Sequence, residues 1–288
     1  MTDLANRGLV ARAERLDRAV AAVQTRFAPL FPGGEIQETG RAIWTLSATP
    51  LLVANGVIRY DARDFDGPDS DRDLDSCLAV LSTYDVPWRF SAWEHLGADR
   101  LLPRLIARGL IGKGRAPALW LDLQPGAHPT SATTTPTAAP TTAGATTASV
   151  DDGIQVRPAA QASDHRLWVQ VFTEVFKIPG EYAAVFELIV GKSHTFSAVA
   201  YVDGQPAGCL SLAIEDGIAV VDNVGVLPAF RRRGVARHLM EAAHEAAATR
   251  GAKACVVVAS PAGAKVCARL GYQVVTSVTH LMPAAHAS

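Results

Sequence analysis

The feature that most constrains this chain is the stretch 126–150, GAHPTSATTTPTAAPTTAGATTASV. Thr, Ala and Pro dominate it, and His128 is its only ionisable side chain. Such a segment cannot bury enough apolar surface to offset the entropy lost on ordering. It reads as a flexible, partly extended linker. The 288 residues therefore divide into 1–125 and 151–288, each of ordinary domain size.

Both halves have the means to fold. Apolar residues make up 49% of the chain and charged residues 19%, a balance that supports packed cores. A net charge of −1 gives no sign of a nucleic-acid or anionic-membrane partner. No apolar run reaches the roughly 20 residues of a membrane span, and the first residues do not read as a secretory signal. Cys77, Cys209, Cys255 and Cys267 are scattered, which predicts reduced thiols in a cytoplasmic protein. His165, His194, His238, His244 and His280 are equally dispersed, and no metal site is expected.

Periodicity predicts a helix from Leu9 to Phe27, ended by Pro32-Gly33-Gly34. Strands follow over 41–47 and 52–60, then a helix over 73–83, a strand over 87–93, a helix over 98–109 and a strand over 116–123. The second half reads as a strand over 153–158 and helices over 164–176 and 182–189. Strands over 196–202 and 207–214 join through Asp203-Gly204, a tight-turn pair. After a strand over 218–226 come a helix over 234–250, a strand over 254–260, a helix over 262–270 and a strand over 272–279. Strands mixed with helices on one sheet make the expected fold class α/β or α+β.

The segment Val224-Gly-Val-Leu-Pro-Ala-Phe-Arg-Arg-Arg-Gly-Val-Ala-Arg-His-Leu-Met240 carries the chemistry. It reads as a strand, a short turn and a helix start. Free N–H groups at a helix N-terminus attract anions. Small residues at Gly234 and Ala236 let a phosphate approach the backbone, and Arg231, Arg232 and Arg233 can add charge-assisted bonds. The turn suits a diphosphate, yet lacks the Lys-Ser/Thr pair of a nucleotide P-loop and the three glycines of a dinucleotide fingerprint. The competing reading is an ordinary helix start with solvated arginines.

Here the chain resembles the GNAT acetyltransferase superfamily. Arg231-Arg-Arg-Gly234-Val-Ala236 is similar to the family's pyrophosphate loop. Val257-Val-Ala-Ser-Pro-Ala-Gly-Ala-Lys-Val-Cys-Ala-Arg-Leu-Gly-Tyr272 looks like its distal strand–helix–"LGF" element. The resemblance covers about 151–283 and implies a mixed, mostly antiparallel sheet flanked by helices, in two similar domains joined by the linker. It implies an N-acyltransferase that uses acetyl-CoA or another acyl-CoA, with an amine attacking the thioester directly through a tetrahedral intermediate. Val224, Gly225 and Val226 would bond the pantetheine arm, and a backbone N–H near Val226 would hold the oxyanion. Amides from Arg232 through Val235 to Arg237 would cradle the pyrophosphate. Ser260 would anchor a water or the CoA arm.

The chain departs from the family at one point that bears on catalysis. The family often has a tyrosine acid four residues before the "LGF" glycine, and this chain has Cys267. That residue is a candidate acid or a small packing side chain. Asp222 is a candidate base working through water, or a solvated carboxylate. A non-catalytic acyl-CoA sensor is the alternative to an enzyme. The order of elements in 41–123 echoes that in 210–279, and residues 1–125 resemble an inactive copy of the same fold. Their counterpart of the phosphate loop, Asp61 to Asp75, carries seven aspartates, which would repel a diphosphate. Calcium binding there lacks the spacing and closing glutamate of a calcium loop. Trp44, Trp88 and Trp93 read as core.

Overall fold

The computed structural model describes residues 2–124, 153–192 and 194–286, the side chains from residue 7 on. The expected linker, 126–150, lies outside the described residues. The chain runs α1 (Thr2–Phe27), β1 (Glu35–Glu38), β2 (Ala42–Leu46), β3 (Gly56–Tyr60), α2 (Gly67–Ser82), β4 (Arg89–Trp93), α3 (Ala98–Ala107) and β5 (Leu110–Asp122). It continues with β6 (Ile154–Pro158), α4 (Ala162–Phe176), α5 (Ala183–Val190), β7 (Thr195–Val202), β8 (Gln205–Glu215) and β9 (Ile218–Val226). The last elements are α6 (Val235–Thr249), β10 (Ala254–Val258), α7 (Pro261–Arg269) and β11 (Gln273–Pro283). The succession β2-β3-α2-β4-α3-β5 recurs as β8-β9-α6-β10-α7-β11. No described helix is long and apolar enough to cross a membrane.

The chain packs as two compact units, and they do not follow the division expected at the linker. Among the described residues, one comprises 2–121 and 256–286; the other comprises 122–124, 153–192 and 194–255. The reason is β11. It runs antiparallel to β5 from Gln273 opposite Trp120 to Pro283 opposite Leu110. Its other edge pairs with β4, Val278 opposite Trp93. Backbone pairing of this length outweighs proximity in sequence.

In the first unit the strands lie in the order β1-β2-β3-β4-β11-β5. Among these described strand pairs, only β3 and β4 run parallel. The core gathers Trp44, Tyr60, Phe90 and Trp88 over Leu74 and Leu81 of α2 and Leu101 and Leu105 of α3. Trp93 is also buried, its Nε1–H donating to the Ile58 carbonyl at 2.9 Å. The three tryptophans are thus core, as expected. Five of the seven aspartates of 61–75 have side-chain partners: Asp61 pairs with Arg63, Asp71 and Asp75 with Arg108, Asp69 with Arg72, and Asp73 accepts from Tyr60 at 2.7 Å. Strand β1 has no counterpart among the sequence expectations, because all four of its residues are exposed and give no alternation. The strand expected over 52–60 begins only at Gly56, because Asn55 bonds the Thr49 and Leu51 carbonyls and closes a turn.

In the second unit the order is β9-β8-β7-β6, antiparallel throughout. Helix α4 seals one region of this sheet. Its fully buried Trp168 stacks on Phe172 at 4.9 Å and donates to the Leu210 carbonyl at 2.7 Å. Phe172 in turn meets Phe186 of α5 at 4.6 Å. Helix α6 buries Val235, Leu239, Met240, Ala243 and Ala247, a stripe at spacings of three and four.

Candidate functional site

The site grows from an irregularity at the end of β9. Cys209 opposes Gly225, but Ser211 opposes Asp222. Two steps along β8 thus face three along β9, so β9 carries a bulge. Asn223 makes it possible. Its φ is +56°, a left-handed conformation that Asn tolerates better than most residues. Its side-chain amide donates to Ser211 Oγ at 2.9 Å. The exposed Asp222 accepts the Asn223 N–H on Oδ1 at 2.8 Å. Cys209 lies beneath with Sγ 3.7 Å from the Asn223 carbonyl, and burial pushes its thiol up. Sequence showed Asp222 and Asn223 on this strand but not the extra residue.

Past the bulge, Val224, Gly225 and Val226 finish the strand. Gly225 is required by packing: a Cβ there would meet Val175 Cγ1 at 2.7 Å and Phe176 Cε2 at 2.9 Å. A 3-10 turn, Pro228–Phe230, then reverses the chain. The Arg231 Nε–H reaches back to the Val226 carbonyl at 3.1 Å, which ties the start of the loop to the strand end.

The loop itself holds two left-handed residues, Arg232 at φ +67° and Gly234 at φ +91°. For an arginine this costs roughly 1–2 kcal/mol, and such outliers concentrate at functional positions. Gly234 is the N-cap of α6. A Cβ on it would find only ordinary contacts, at 3.7 Å or more from His238 and Ile154. Its need for glycine is therefore conformational rather than spatial. Among the described residues, none of the backbone N–H groups of Arg232, Arg233, Gly234, Val235 and Ala236 has a hydrogen-bond partner. They open a fifteen-residue helix, where the macrodipole adds partial positive charge. The Arg237 N–H, expected in the same group, instead donates to the Gly234 carbonyl at 2.9 Å. The cradle is therefore one residue shorter than the motif implies.

The three arginines differ in what holds them. Arg231 is tied to Val226. Arg233 donates to Asp203 Oδ2 at 3.1 Å and lies over the Phe230 ring at 5.9 Å. Among the described residues, the Arg232 side chain has no such partner. The Arg237 side chain pairs with Glu241 at 2.8 Å along the helix. No local pattern signals the Asp203–Arg233 pair, because thirty residues separate its members.

Ser260 and Cys267 belong to the compact unit that holds α7, on and beside that helix. Ser260 is the N-cap of α7 and its Oγ accepts the Gly263 N–H at 3.2 Å. Cys267 is 3% exposed, and burial pushes its thiol up to about 11. Tyr272 is buried as well. Among the described residues no cluster of three metal-ligating side chains occurs.

Residues 165–272 match the acetyltransferase (GNAT) family. The fold is shared with solved structures of low sequence identity. A GCN5-related N-acetyltransferase from Kribbella flavida superposes with a TM-score of 0.62 at 16% identity, over 92% of this chain and 95% of that one. A tandem GNAT protein from the clavulanic acid biosynthesis pathway gives 0.59 at 15%, over 91% and 86%. A GCN5-related N-acetyltransferase from Sphaerobacter thermophilus gives 0.58 at 15%, over 84% and 80%. No curated protein matches the chain in sequence.

Proposed function

Residues 165–272 form a GNAT-family domain, and from that premise we propose that the protein is an acyl-CoA-dependent N-acyltransferase with acetyl-CoA as the donor. The observation that carries this reading is the run of five unpartnered amides from Arg232 to Ala236 at the start of α6. A diphosphate supplies the acceptor oxygens such a run needs. The main chain of Val224–Val226 takes the pantetheine arm. A backbone N–H near Val226 faces the developing oxyanion as the amine attacks the thioester carbonyl.

The attacking amine must lose a proton, and the departing thiolate must gain one. Asp222 is exposed at the bulge and takes the first proton through water. Its alignment with the family tyrosine speaks for Cys267 as the donor. Its burial and raised pKa speak for a packing role, which we assign to it, so the thiolate takes its proton from water. Ser260 is engaged as a helix cap and takes no direct role. The four cysteines are buried free thiols, which fits a reducing cytoplasm.

The test is thiol release from acetyl-CoA against a panel of amines. Turnover that falls about a hundredfold in Asp222→Asn, with KM for acetyl-CoA unchanged, supports the enzyme and its base. CoA binding without turnover over the panel supports the sensor alternative, for which the departure at Cys267 is the favouring observation.

A further inference from the structure

Arg233 contributes its amide to the centre of the cradle, but its guanidinium is turned away onto Asp203. Asp203 is not a passing surface neighbour. It sits in the β7–β8 turn at φ +51°, followed by Gly204 at φ +77°. Its N–H donates to the Gly153 carbonyl at 3.2 Å. Its Oδ1 lies where a Cβ on Gly153 would come within 3.0 Å. The backbone bond fixes the turn that carries Asp203, and its carboxylate meets Arg233 with Oδ2 at 3.1 Å. Both side chains are open to solvent, 46% and 70% exposed, so the pair is weak and a multiply charged anion can displace it.

We propose that Asp203 sets the affinity of the loop for a diphosphate by competing for Arg233. The carboxylate occupies the guanidinium. When a diphosphate arrives, Arg233 exchanges one anion for another, and the gain from the new contact is reduced by the loss of the old one. Asp203 also adds a negative charge beside the cradle, which lowers the attraction for any phosphate. A site limited in this way releases CoA faster after transfer. Asp203 is therefore a positioning residue, acting through Arg233. The inference rests on the loop being the diphosphate site.

The experiment is calorimetric titration of CoA, and separately of inorganic pyrophosphate, into the full-length protein and its variants. Asp203→Asn keeps the turn, because Asn-Gly suits the same left-handed pair, and removes only the charge. It should tighten both ligands about threefold to tenfold at low salt, and the gain should shrink at high salt. Arg233→Gln should cost more affinity in the Asp203→Asn background than in the native one. Unchanged or weaker binding in Asp203→Asn at low salt overturns the proposal, even where the native protein binds CoA and the functional reading stands. If CoA fails to bind but pyrophosphate binds and tightens in Asp203→Asn, the acyl-CoA reading falls and the role of Asp203 survives. Failure of both ligands to bind the native protein overturns both.

Discussion

The Asn223 amide donates to Ser211 Oγ at 2.9 Å across the β8–β9 pair, and this bond pins the extra residue that re-aims the end of β9. Asn223→Ala removes the bond and places Ala at φ +56°. The left-handed backbone alone costs roughly 1–2 kcal/mol. We expect a fall in Tm of about 2–8 °C, measured by circular dichroism. Turnover should drop more than the affinity for CoA, because the strand end moves while the loop amides stay. A Ser211→Ala variant, which leaves the backbone of the bulge unchanged, should show a smaller effect of the same kind.

Gly234 occupies φ +91° with open space around its missing side chain. Gly234→Val therefore acts through the backbone, and the loop must rearrange. CoA affinity should fall by at least about tenfold, since roughly 1.4 kcal/mol of lost amide contact suffices for that. The far-ultraviolet circular dichroism spectrum should remain native. Calorimetry with CoA checks the first statement and spectroscopy the second.

Cys267 offers a test of chemistry against packing. Its thiol is pushed up to about 11 by burial. We expect Cys267→Ala to keep kcat within about twofold and to lower stability by about 1 kcal/mol. Cys267→Tyr should destabilise by about 1–3 kcal/mol through overpacking, without a gain in turnover. Because the folded thiol holds its proton more tightly than the unfolded one, its contribution to stability is complete below its ordinary pKa of 9.0 and is lost as pH rises through about 11. Alkaline unfolding should therefore be shallower in Cys267→Ala.

His244 and His280 predict the acid limb. Burial pushes both down to about 4, helped at His280 by the charge of Arg89 and opposed at His244 by Glu241. Between pH 6.5 and about 4 the unfolded chain binds more protons than the folded one. The stability these groups support is present above 6.5 and is lost as pH falls through about 4. Denaturant midpoints measured over that window should fall less steeply in His244→Gln and in His280→Gln.

Local patterns in the chain foretold its local features. The stripe of α6, the Asp203-Gly204 turn and the strand–turn–helix around Arg231–Ala236 depend on residues three or four apart, and all were readable. The long-range relations were not. Nothing near Gln273 indicates that β11 pairs with β4 and β5 and so joins the unit of residues 1–121. The exposure of β1 hid it from any periodicity argument. At the site, the motif gave Gly234 its place, but the bulge at Asn223 and the hold of Asp203 on Arg233 arise from partners across strands and turns. The motif also included Arg237, whose amide is already used by Gly234.

Whether the loop at the start of α6 holds the diphosphate of CoA is decided by amide NMR of the protein titrated with CoA. The largest shifts should fall on Arg232, Arg233, Gly234, Val235 and Ala236, with a smaller one at Arg237, whose N–H is already bonded. If CoA leaves those five amides unmoved while shifting others, or shifts none at all, the loop is not the diphosphate site and the proposed function is contradicted.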